Sequence, residues 1–66
     1  MHTLKEIRKE KNITLLVAAN ELGYRYPSSY AKIETGKQPL KSNQIPILAN
    51  LFEVSEEKIL KSSYSL

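Results

Sequence analysis

A chain of 66 residues with a formal charge of +3 has room for one domain and a small core. It holds no cysteine and one histidine, His2, so neither a disulfide nor a thiolate or histidine metal site can supply stability, and no cofactor is expected. No apolar run approaches the length of a membrane span and no signal peptide precedes the domain, so a soluble, cytoplasmic protein without membrane contact is expected.

Thr3 opens a capping box with Glu6, in which the hydroxyl takes the third helical amide and the carboxylate reaches back to the cap amide. Leu4, Ile7 and Lys11 trace one stripe of this helix, with Ile7 as its main core residue, and Asn12 ends it. Thr14 caps a second helix over 15–22 whose buried face is Ala18, Ala19 and Leu22. The small alanines let another helix approach closely. Leu15, Leu16 and Val17 add more apolar surface than one face can bury. Either one of them meets a partner subunit, or this helix is buried on two sides.

Gly23 suits the positive φ that ends a helix, and Pro27 presets the first turn of the next, over 27–35. Tyr30 and Ile33 share its inner face, while Ser28, Ser29 and Lys32 fall on others. The result is a short helix anchored by two apolar residues, its polar side turned outward. Residues 36–41 form a loop with Pro39 as a helix barrier. A fourth helix over 45–52 carries Ile45, Leu48, Ala49 and Phe52 at amphipathic spacing, with Pro46 in its first turn. Ser55 caps a last helix with Glu56 and Glu57 in its first turn and Ile59 and Leu60 as its apolar pair. Residues from Lys61 onward are expected to fray. The fold class is all-α: a five-helix bundle with its core at about 3–61 and a tail at 62–66.

Charge is uneven along the chain. Residues 25–41 carry Arg25, Lys32, Lys37 and Lys41 against Glu34 alone, a net +3, whereas residues 1–24 carry +1 and residues 42–66 carry −1. A local basic patch favours a polyanion such as nucleic acid; the bland alternative is a solvated loop. An enzyme fails on content, because the chain has no aspartate, no nucleophile–base pair, no metal cluster and no phosphate-cradling glycine loop. Four tyrosines without strand alternation make a poor platform for single-stranded RNA.

The order of helix, capped helix, glycine turn and Ile33-Glu34-Thr35-Gly36-Lys37 resembles the helix-turn-helix domain of the Cro/C1 (XRE) family of phage and bacterial repressors. Three segments carry the resemblance over about residues 3–61. They are Leu4-Lys5-Glu6-Ile7-Arg8, Ala18-Ala19-Asn20-Glu21-Leu22-Gly23 leading to Ile33–Lys37, and Leu48-Ala49-Asn50-Leu51-Phe52-Glu53-Val54-Ser55 running on to Leu60. The resemblance implies a lambda-repressor-like bundle whose third helix lies in the major groove of double-stranded DNA, bound as a homodimer on a pseudo-palindrome. Carried over by position, Arg8 and Glu34 form a partly buried ion pair between the first and third helices. Pro27, Ser28 and Lys32 take the places of base readers. Arg25, Tyr26, Ser29, Thr35, Lys37, Gln38 and Lys41 are the candidate phosphate contacts, with backbone amides at the second and third helix N-termini. Glu57, Ile59, Leu60, Tyr64 and Leu66 are the candidate dimer surface. No small-molecule ligand is expected.

The chain departs from the family pattern twice. Its turn is one residue longer, so Tyr24-Arg25-Tyr26 bulges. For Tyr24 the expectation is packing on the core, and for Arg25 a DNA contact. Leu15 stands where the family often has a glutamine that touches the DNA backbone, a hydrogen bond leucine cannot make. The leading reading is a dimeric, sequence-specific repressor. The alternative is a protein-interaction module of the same fold, of antitoxin or antirepressor type, with little DNA readout; the apolar run at 15–17 motivates it.

Overall fold

The structure is a computed structural model and describes residues 3–63. Local chemistry sets each helix boundary. The α1 helix (Leu4–Glu10) begins at Thr3, where the Thr3 hydroxyl accepts from the Glu6 amide and the Glu6 carboxylate accepts from the Thr3 amide, both at 3.2 Å. Asn12 closes it in the left-handed region at φ 58°, which lets the Ile13 amide return to the Arg8 carbonyl at 3.2 Å. The α2 helix (Leu15–Glu21) is capped by the Thr14 hydroxyl, which accepts from the Val17 amide at 3.2 Å. Gly23 then takes φ 86°.

The α3 helix (Pro27–Glu34) starts on its proline and ends just before Thr35, with Gly36 at φ 81° beyond. A 3-10 turn over Ser42–Gln44 leads directly into α4 (Ile45–Phe52). The α5 helix (Glu56–Ser63) follows, with the Ser55 hydroxyl accepting from the Lys58 amide at 3.1 Å. Where fraying was expected from Lys61 onward, α5 runs on to Ser63. Ser62 is buried, so the last turn is held by packing that a polar sequence does not advertise.

The core is Leu4, Ile7, Ala18, Ala19, Tyr30, Ile33, Leu48, Ala49, Phe52 and Ile59, contributed by all five helices among the described residues. Ala18 and Ala19 are fully buried on α2, a helix that packs against both α3 and α4. Lys11 leaves the inner stripe and is exposed, 3.9 Å from the Glu53 carboxylate.

The crowding at 15–17 resolves by division. Leu15 packs on the core, while Leu16 and Val17 stay 48% and 43% exposed. Ile59 corrects the expected dimer surface. It is fully buried against the core and presents nothing to a partner. Leu60 beside it is exposed and Glu57 pairs with Lys61 at 3.1 Å, whereas Tyr64 and Leu66 lie outside the described residues. No helix among the described residues is long and apolar enough to cross a membrane.

Candidate nucleic-acid interface

The α3 helix divides sharply into an inner and an outer side. Tyr30 and Ile33 are buried, and Glu34 turns inward with them. The Arg8 guanidinium meets Glu34 there: Nε donates to Oε2 at 2.7 Å and Nη2 to Oε1 at 3.4 Å, while Nη1 donates to the Ile13 carbonyl at 2.7 Å. With side chains only 8% and 5% exposed, this pair fixes α3 against the end of α1. Charge-assisted, two-pronged geometry of this kind sets the orientation as well as the distance.

Inward rotation of Glu34 has an electrostatic consequence. The only carboxylate between residues 25 and 41 is buried and neutralised by Arg8, yet Arg25, Lys32, Lys37 and Lys41 all remain exposed. The solvent side of this segment is therefore purely cationic, beyond what the net charge of its sequence suggests. Pro27, Ser28 and Lys32 are exposed on α3, and Ser28 and Lys32 stand one helical turn apart on a common outer stripe. Tyr26 caps α3 with 61% of its surface exposed, next to the exposed Arg25. Ser29 is half-buried at the edge of the same surface.

Other candidates are already engaged within the fold. The Thr35 hydroxyl donates to the Ala31 and Lys32 carbonyls at 3.1 and 3.3 Å, so it must release α3 before it can donate to a phosphate. The Gln38 side chain is held, its Nε2 donating to the Tyr24 hydroxyl at 3.3 Å. At the α2 N-terminus, Thr14 occupies the Val17 amide, and the amides that open the helix have no intrahelical partner.

Burial pushes the Tyr30 phenol pKa well above its ordinary range, helped by the neighbouring Glu34 charge and opposed by Arg8. Its hydroxyl lies close enough to Glu34 for the carboxylate to favour the protonated phenol, yet it makes no hydrogen bond of good geometry among the described residues. Two features escaped the sequence reading. Tyr24 packs on the core as expected, but it also gathers two glutamines onto its oxygen. Gln44, one of those glutamines, is buried. The three-residue spacing from Lys41 to Gln44, a cap position followed by a glutamine, was the available signal.

A short helix locked by a buried ion pair, with a carboxylate-free basic exterior, defines a small helical DNA-binding domain. The chain belongs to the helix-turn-helix family of Cro/C1 (XRE) type, whose model, described as Helix-turn-helix, matches residues 4–59. No curated protein and no solved structure matches the chain. The family is one of DNA-binding regulators and not of enzymes.

Proposed function

We propose that the protein is a sequence-specific regulator of transcription, a cytoplasmic repressor that binds double-stranded DNA as a homodimer. The observation that carries this reading is the cationic outer side of 25–41, produced by burying Glu34 against Arg8. Helix α3 enters the major groove, which admits a single helix. Lys32 donates to a guanine O6 or N7, Ser28 donates or accepts, and Pro27 offers apolar contact to a thymine methyl. Arg25, Tyr26, Ser29, Lys37 and Lys41 meet phosphates and set the register without reading sequence, and Gln38 adds a contact only through the Nε2 hydrogen that Tyr24 leaves unused. Thr35 joins them only if its hydroxyl turns away from α3. Dimerisation uses the α5 end, where exposed Leu60 borders an open groove of about 450 Å³ lined by Pro39, Leu40 and Ile45. Two-fold pairing there calls for a pseudo-palindromic operator.

The test is selection from a random duplex pool with wild type and Lys32→Ala. A two-fold site should emerge, and Lys32→Ala should relax one base position at a cost of about 1–3 kcal/mol. Sequence-blind binding, or none, would overturn the reading. The second reading, a protein-interaction module, draws on the exposed Leu16 and Val17 of α2 and would then take its place.

A further inference from the structure

The Tyr24 oxygen accepts from Gln44 Nε2 at 2.8 Å and from Gln38 Nε2 at 3.3 Å. These three residues come from three separate segments: the turn before α3, the loop after it, and the 3-10 turn that leads into α4. A phenol oxygen has two lone pairs, and here both are filled by amide donors. Gln44 in turn accepts the Lys41 amide on its Oε1 at 3.0 Å, which fixes which end of its side chain faces Tyr24. The loop between is thereby pinned along its length. Its start is tied to α3, because the amides of Lys37 and Gln38 both donate to the Lys32 carbonyl, at 2.9 and 3.2 Å. Its middle is held by the Gln38 side chain and by the fixed φ of Pro39. Its end is held through Lys41.

We propose that the Tyr24 hydroxyl is a positioning residue for DNA binding, which holds the 37–41 loop in the shape that delivers Lys37 and Lys41 to the phosphates flanking α3. This rests on the DNA-binding reading above. The physical gain is preorganisation: a loop ordered before binding loses less freedom on the duplex. A phenylalanine at position 24 would pack equally well but would free both glutamines and the loop with them. Gln44 is 4% exposed and does not itself reach a ligand, so any effect of changing it on binding passes through the loop.

The experiment compares the full chain as wild type, Tyr24→Phe, Gln44→Met and the double variant. Each is titrated with the duplex selected for wild type and with a random-sequence duplex, across a range of salt. Amide hydrogen exchange of Lys41 is followed in the free protein. Tyr24→Phe and Gln44→Met should each weaken binding to both duplexes by about three- to tenfold at low salt. Each should also flatten the dependence of log affinity on log salt, because fewer counterions are released by misplaced lysines. Lys41 exchange should quicken, and the double variant should bind no worse than the weaker single one, since both break one network. A folded Tyr24→Phe with wild-type affinity and salt slope overturns the proposal. So does a loss in Tyr24→Phe that Gln44→Met fails to reproduce, which would make Tyr24 a direct contact. Should Tyr24→Phe not fold, Gln44→Met decides by the same criteria. If wild type binds neither duplex, the DNA-binding reading has failed and this role falls with it, an outcome separate from any result on the variants.

Discussion

Removing the Glu34 carboxylate is the sharpest test of how α3 is held. An exposed ion pair contributes at most about 1 kcal/mol, because water solvates each partner nearly as well alone. The pair here is different, with side chains only 8% and 5% exposed and contacts at 2.7 and 3.4 Å. Glu34→Ala leaves the guanidinium of Arg8 buried with the Ile13 carbonyl as its one described partner, at 2.7 Å. Breaking a buried pair from one side costs about 3–5 kcal/mol. A domain of this length has a total stability of only about 3–10 kcal/mol. Glu34→Ala is therefore expected to be largely unfolded at room temperature, or to lose most of its thermal margin. Glu34→Gln, which keeps the shape and one acceptor, should cost about 1.5–3 kcal/mol and give the measurable value. Arg8→Met should cost as much as Glu34→Ala for the converse reason, a stranded carboxylate. The double variant Arg8→Met/Glu34→Leu should be less damaged than either single one, retaining only the deficit of about 1 kcal/mol at the Ile13 carbonyl. The assay is urea denaturation followed by helical circular dichroism. Single costs below about 1 kcal/mol, or costs that simply add in the double variant, would refute the reasoning.

Tyr30→Phe should raise stability by about 1 kcal/mol, since it removes a buried hydroxyl that has no good hydrogen bond; a loss of that size instead would place a donated bond to Glu34. The same variant tests alkaline behaviour. The folded phenol is held above its ordinary value, so below about pH 10 it is neutral in both states and adds no pH dependence, whereas above that the unfolded chain gains by ionising it. Wild type should thus lose up to about 1.4 kcal/mol per pH unit from this group as pH rises past 10, and Tyr30→Phe should lack that increment in pH-dependent melts. At Gly23 an added Cβ meets nothing within 4 Å, so Gly23→Ala should cost only the backbone strain of φ 86°, about 1–2 kcal/mol in thermal denaturation; a much larger cost would reveal a clash. Leu60→Glu should leave the melting behaviour within about 1 kcal/mol while shifting sedimentation to monomer, and a dimer that persists would move the interface elsewhere.

Local chemistry made most of the helix framework legible. The Thr3–Glu6 box, the Thr14 cap, the left-handed Gly23 and the Ile45–Phe52 pattern depend on residues a few positions apart, and each stands where its spacing predicts. The Arg8–Glu34 pairing came from the family resemblance, since nothing local links residues 26 apart. Periodicity also misjudged α5. Ile59 and Leu60 are adjacent apolar residues of equal standing in the sequence, and only the packing of α5 against the bundle decides that the first is buried and the second exposed. The Tyr24 network was out of reach for the same reason, because it joins side chains 14 and 20 residues apart through one oxygen.

The amino-acid sequence by itself determined where the capped helices start, and that the positive charge gathers in residues 25–41, whereas the last turn of α5 was left to packing. Tertiary structure decided which way that charge faces. It turned Glu34 inward onto Arg8 and left four cations outside, because a carboxylate buried beside a guanidinium is stable only when the two chains meet at hydrogen-bond distance.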